Sequence, residues 1–187
     1  MKKYVFISFL VTIIGTTGKA QEVSNNVESS DSGFTTRSLS IMFPLGFYGD
    51  GDTGGGAFEA DVTFEYGEHL FTLLGGIGES YDLFAPDDSF KQINLYYGRE
   101  MGLSRTVFVE GHAGIGYFSF QSKGSGGFFS SPSEPIDDAT IGFPIMGKLR
   151  IHTGPRFSIG LKLGANINAI NIVHTFGISI QWNNRKW

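Results

Sequence analysis

Val173-His174-Thr175-Phe176-Gly177-Ile178-Ser179-Ile180-Gln181-Trp182 is the stretch whose reading decides the fold. His174, Phe176, Ile178, Ile180 and Trp182 fall on one side of an extended chain; Thr175, Gly177, Ser179 and Gln181 fall on the other. A strict two-residue period is that of a β-strand with one apolar and one polar face. Two architectures use such a strand. A soluble sandwich or barrel turns the apolar face to a core and the polar face to water. A membrane barrel does the reverse, apolar face to lipid and polar face to the lumen.

Working outward from this last strand, seven more segments carry the same period. They are expected near Thr35–Tyr48, Ala57–Tyr66, Leu70–Tyr81, Phe90–Arg99, Arg105–Gln121, Thr140–Ile151 and Phe157–Asn168. The second is the cleanest: Phe58, Ala60, Val62, Phe64 and Tyr66 against Glu59, Asp61, Thr63 and Glu65. In the first, Pro44 cannot donate to a ladder, so a bulge or weak pairing is expected there. Each segment has the roughly 9–11 residues that a tilted strand needs to cross a bilayer. Connections after the second, fourth and sixth strands are short, and those after the first, third and fifth are long. That is how bacterial barrels divide periplasmic turns from outer loops. Only the short connection near Ala169–Ile172 departs from it. Aromatics gather at strand ends, with Tyr66, Phe71, Tyr97, Phe157 and Trp182 towards one rim. Phe47, Phe58, Tyr117 and Phe143 lie towards the other, the placement of interfacial girdles.

Composition narrows the classes further. A length of 187 residues is one domain's worth. A net charge of -4 offers no nucleic-acid footprint. The absence of cysteine excludes disulfides, thiolate metal sites and a catalytic thiol. Lys2 and Lys3, the apolar run Tyr4–Ile14 and the small residues up to Ala20 read as a Sec-type signal peptide over Met1–Ala20. That apolar run falls short of the about 20 residues a membrane helix needs. Gln21–Gly33 is polar and aperiodic, a flexible lead-in expected in the periplasm.

Signal peptide, eight amphipathic strands and the closing strand together resemble the small OmpA/OmpX-type outer-membrane barrels of Gram-negative bacteria, over essentially Phe34–Trp187. Thr175, Gly177, Ile180 and Trp182 match, position by position, the C-terminal insertion signal that such barrels show their assembly machinery. The resemblance implies an all-β, eight-stranded antiparallel up-and-down transmembrane barrel in the cell outer membrane. Its surroundings would be outer-membrane lipid and lipopolysaccharide.

Within the strands, the charged residues that carry the argument sit on the polar face: Glu59, Asp61, Glu65, Glu110, Lys148, Arg150 and Lys162. A Lys or Arg on the lipid face near the midplane costs roughly 2–4 kcal/mol, so register is firmly held. Eight strands enclose a space that side chains just fill. The expectation is therefore a lumen plugged by ion pairs, not an open porin. The second and sixth strands lie opposite in such a ring, which lets carboxylates meet cations across it.

Other sites are weaker. Asp50-Gly51-Asp52-Thr53-Gly54-Gly55 has the start of a calcium loop but lacks a third acidic ligand, and its twelfth position is Asp61, not Glu. Asp87-Asp88 and Asp137-Asp138 are loop acids that could join divalent bridging of lipopolysaccharide. A lipid A deacylase would need His and Ser together on the outer wall. His69 and His152 are expected at turns, His112 inward, and His174 outward with Ser179 on the opposite face, so no such cluster and no catalytic residue is read. No cofactor is expected. The loop Ser122–Ala139, with Phe128-Phe129 at its centre, is the best place for a surface partner. A soluble secreted β-barrel binding a small apolar ligand remains the third alternative. It requires the apolar faces to point inward.

Overall fold

The computed structural model describes residues 33–49, 54–80, 88–122 and 135–184. The expected signal peptide, the lead-in apart from Gly33, the calcium-like residues Asp50–Thr53, Asp87, Phe128-Phe129 and Trp187 lie outside the described residues, as do the side chains of residues 43–49. The strands are β1 (Thr35–Gly49), β2 (Gly54–Tyr66), β3 (His69–Ser80), β4 (Ser89–Gly102), β5 (Val107–Ser122), β6 (Ile136–His152), β7 (Phe157–Ile167) and β8 (Val173–Asn183). Each pairs antiparallel with the next, and β8 closes on β1, giving an eight-stranded up-and-down barrel. The barrel has a turn end, where β1 starts and β8 finishes, and a loop end opposite.

Alternation in the sequence becomes alternation in space. Every second residue of β8 is buried from Val173 to Asn183, and those between them are exposed. At the turn end, Gly67 supplies the left-handed φ of 58° that lets a two-residue turn pair Tyr66 with His69. Between β4 and β5, the Ser104 hydroxyl accepts from the Thr106 and Val107 amides, a local bond that competes with further strand.

Three details depart from the expected strands, and one meets the expectation. β1 bulges between Thr36 and Ser38 against β2, so that Arg37 and Ser38, neighbours in sequence, both face inward. The break expected at Pro44 is present: the register of β1 shifts between Met42 and Phe47 against β2 and between Met42 and Gly46 against β8. β4 runs on through Gly102, which turns Glu100 from an expected turn residue into an inward-facing one. β6 begins at Ile136, four residues before the expected start, because it stays paired with β5 out to Ser122–Ile136.

Candidate functional site

The lumen is built in layers. Nearest the turn end, the Arg37 guanidinium donates to Glu65 at 2.6 Å and to Glu100 at 2.5 Å. Arg150 shares Glu100 and reaches Glu110 at 2.6 Å. The His112 ring nitrogen Nε2 sits 3.1 Å from the other Glu110 oxygen. Above it, β6 and β7 set Lys148 and Lys162 directly opposite one another, a repulsive arrangement by itself. Asp61, reaching from β2 across the barrel, accepts from Lys148 at 2.5 Å and from Lys162 at 2.9 Å. Glu59 takes the remaining side of Lys162 at 2.9 Å and accepts from Gln92 at 3.0 Å. Gln92 in turn accepts from Asn94 and Asn166, each at 3.0 Å. A cavity of about 10 Å³ between Glu59, Gln92, Tyr96, Asn166 and Thr175 has room for roughly one water molecule.

Towards the loop end the lumen changes character. Met42, Ala57, Phe90, Phe118, Phe120 and Val173 form a buried apolar cluster, with Ile170 packed against it. Phe90 and Phe118 stack with ring centroids 5.9 Å apart. Gly78 makes room for this layer, since a Cβ there would run into the Phe90 ring. The sequence reading put no aromatic layer inside. The alternation of Phe118 and Phe120 with Ser119 and Gln121 in β5 was the signal that could have found it.

Of the residues expected in the lumen, Glu59, Asp61, Glu110, Lys148, Arg150 and Lys162 are each at most 2% exposed, and Glu65 lies partly open at the turn end. Arg37 and Glu100 join them, hidden in the sequence by the bulge and by the length of β4. The outer wall is the opposite: Leu39, Leu73, Ile93, Leu95, Ile115, Phe143, Leu163 and Ile178 are all exposed. Charges that must hide from oil are inside, and side chains that must hide from water are outside. The fold is that of a small outer-membrane β-barrel.

The aromatic ends of this barrel fit that wall. Phe34 stacks on Phe64 at 5.3 Å; Phe71 meets Tyr97, and Phe157 meets Trp182, at 5.8 Å each. The imidazoles are spread out. His69 bonds the Tyr97 hydroxyl at 2.8 Å, and His174 faces outward while Ser179 faces in. One His–Ser pair forms, but not on the outer wall. His152 Nδ1 lies 2.7 Å from the Ser158 hydroxyl, across the β6–β7 pair. Ser158 is fully buried and its oxygen also accepts from Asn183 at 2.8 Å, so the pair sits away from the lipid-facing wall. Thr175 and Gly177 face inward, and Ile180 and Trp182 outward. Among the described residues no group of His, Asp or Glu is spaced to hold a metal ion, and no helix is long and apolar enough to cross a membrane.

No family model and no curated protein matches the chain. Solved structures do. The Neisserial surface protein A (NspA) aligns with a TM-score of 0.60 at 10% identity, over 81% of this chain and 97% of that one. Ail, the attachment invasion locus protein of Yersinia pestis, gives 0.53 at 15% identity, over 80% and 98%. The N-terminal β-barrel domain of Pseudomonas aeruginosa OprF gives 0.50 at 11% identity, over 81% and 99%. At these identities it is the fold that is shared, and the expected eight-stranded outer-membrane barrel is met.

Proposed function

We propose that this chain is an outer-membrane barrel of a Gram-negative bacterium, exported by the segment Met1–Ala20, with a structural or surface-interaction role and no catalytic one. The observation that carries the reading is the inverted wall, with nine paired charges inside among the described residues and an apolar belt outside. In this reading the belt is solvated by outer-membrane lipid and lipopolysaccharide. The assembly machinery reads β8 through Thr175, Gly177, Ile180 and Trp182. The ion-paired layers together with the phenylalanine layer make a filled lumen, not an open porin. Ail has been solved with the heparin analogue sucrose octasulfate. The loop end here favours the opposite sign, because Glu79, Asp88, Asp137 and Asp138 outnumber Lys91 among its described charges.

The test is fractionation with gel mobility. The protein is expected in the Sarkosyl-insoluble envelope and to run at a different apparent mass unboiled than boiled. Recovery in the soluble periplasmic fraction, with one mobility in both conditions, would end the membrane reading. Lipid A mass spectrometry of a deletion strain addresses the enzyme alternative, and an unchanged acyl pattern is the expected result.

A further inference from the structure

Arg99 and Glu68 make an ion pair unlike those in the lumen. The guanidinium lies 3.5 Å from the carboxylate, and the two side chains are 59% and 84% exposed. The pair belongs to the turn end. Gly67 bends the chain through its left-handed φ and leaves Glu68 in the β2–β3 turn, while Arg99 faces outward on β4. Between them stands Tyr97. Arg99 hydrogen-bonds it, and its hydroxyl lies 2.8 Å from His69 Nδ1. Towards the midplane, Phe71 meets Tyr97 edge-on at 5.8 Å and Phe34 tilts against Phe71 at 5.9 Å. Beyond this ledge the register sets Leu73 beside Leu95 and Gly75 beside Ile93, and the outer side of Gly75 is open space. From rim to midplane the wall thus offers a cation beside an anion, an aromatic ledge and an aliphatic strip.

We propose that this patch is a headgroup site for a zwitterionic glycerophospholipid with a primary ammonium, that is, a phosphatidylethanolamine. Exposed ion pairs are loosely held, so a ligand carrying both charges enters between the partners. Arg99 and the His69 Nε2–H hold the phosphate diester, with Tyr97 donating to His69 Nδ1, and Glu68 accepts from the ammonium. One acyl chain lies over Leu95 and Leu73 towards Gly75. Charge selects the class. Arg99 and Glu68 sum to zero, which fits a headgroup of no net charge, whereas an anionic headgroup would set Glu68 against it. A trimethylammonium has no N–H to give the carboxylate. The proposal deepens the membrane reading and rests on it.

The test uses the protein refolded in detergent micelles, with heat-modifiable mobility checked before any lipid is added. Failure of the membrane reading shows at that step, and failure of the site in the titration that follows. Native mass spectrometry then measures binding of phosphatidylethanolamine, phosphatidylcholine and phosphatidylglycerol with matched acyl chains. Phosphatidylethanolamine should bind about tenfold more tightly than either of the others. Glu68→Gln should abolish its preference over phosphatidylcholine, and Arg99→Gln should weaken all three. Arg105→Gln, which removes an exposed cation from the β4–β5 turn, should change nothing. Equal binding of phosphatidylethanolamine and phosphatidylcholine by the unaltered protein would overturn the proposal. So would a preference for phosphatidylglycerol, displacement of the lipid by inorganic phosphate, or an equal loss in Arg105→Gln.

Discussion

Asp61 holds together two lysines that neighbouring strands have already forced side by side. Removing it leaves two ammonium groups buried with Glu59 as the one remaining close carboxylate on Lys162. Breaking a buried pair by deleting one partner costs about 3–5 kcal/mol. Asp61→Ala should therefore lower stability by that order in urea unfolding from lipid vesicles. The triple change Asp61→Leu/Lys148→Met/Lys162→Met should recover most of the loss, because well-packed apolar groups replace buried ion pairs at little cost. A triple variant no more stable than the single one would show that the lysines are held by something else. Asp61, Lys148 and Lys162 were legible because alternation alone assigns their face. Arg37 was not. It stands beside Ser38, which alternation sends inward, and only the bulge lets both point the same way. Glu100 was lost for a plainer reason, that Gly102 and Ser104 make the segment look like a turn.

β4 shows most clearly what a single strand has to satisfy. Its outward residues run Lys91, Ile93, Leu95, Tyr97, Arg99, so that two charges about 26 Å apart along the strand, at 3.3 Å per residue, bracket the apolar residues. Tilted by roughly 35–45°, that separation covers a height of about 20 Å, inside the roughly 25 Å band of such barrels. Leu95 lies in the middle, paired with Leu73 and Ile115. Leu95→Arg should thus cost about 2–4 kcal/mol in the same unfolding assay, whereas Ile93→Arg, nearer Lys91, should cost less. Equal penalties at the two positions would argue against a membrane normal to this belt. Strand identity was readable throughout, because eight periodic runs leave little choice. Strand ends were not, since pairing partners set them: β6 is held out to Ile136 by β5, and β7 is cut short by Asn168. Pro144 is a further case. It faces the lumen inside β6, where the β5 ladder skips from Ala113–Ile145 to Gly116–Gly142, so its missing N–H falls at a break in the pairing.

At the scale of the whole molecule, the two kinds of lumen layer act in series. Planar-bilayer recordings of the refolded protein should show no steady current, and replacing Phe118 and Phe120 together by Ala should leave the current low, because the Asp61–Lys148–Lys162 layer still blocks the axis. An open-pore current from the unaltered protein would contradict the filled lumen. Fold and wall polarity could be read in the sequence, since both follow from a period of two. The phenylalanine layer was legible only in part: alternation in β5 sends Phe118 and Phe120 inward, but it is the β4–β5 register that brings Phe90 against them. That layer has a consequence for hydration. A stack of aromatic rings offers a water molecule nothing to bond with, while carboxylates and guanidinium groups at the far end offer a great deal. The interior is wettable from one mouth only, like a wick stoppered at the top, so deuterium should reach the backbone amides of β4 and β8 from the turn end and those at the Phe90 level last.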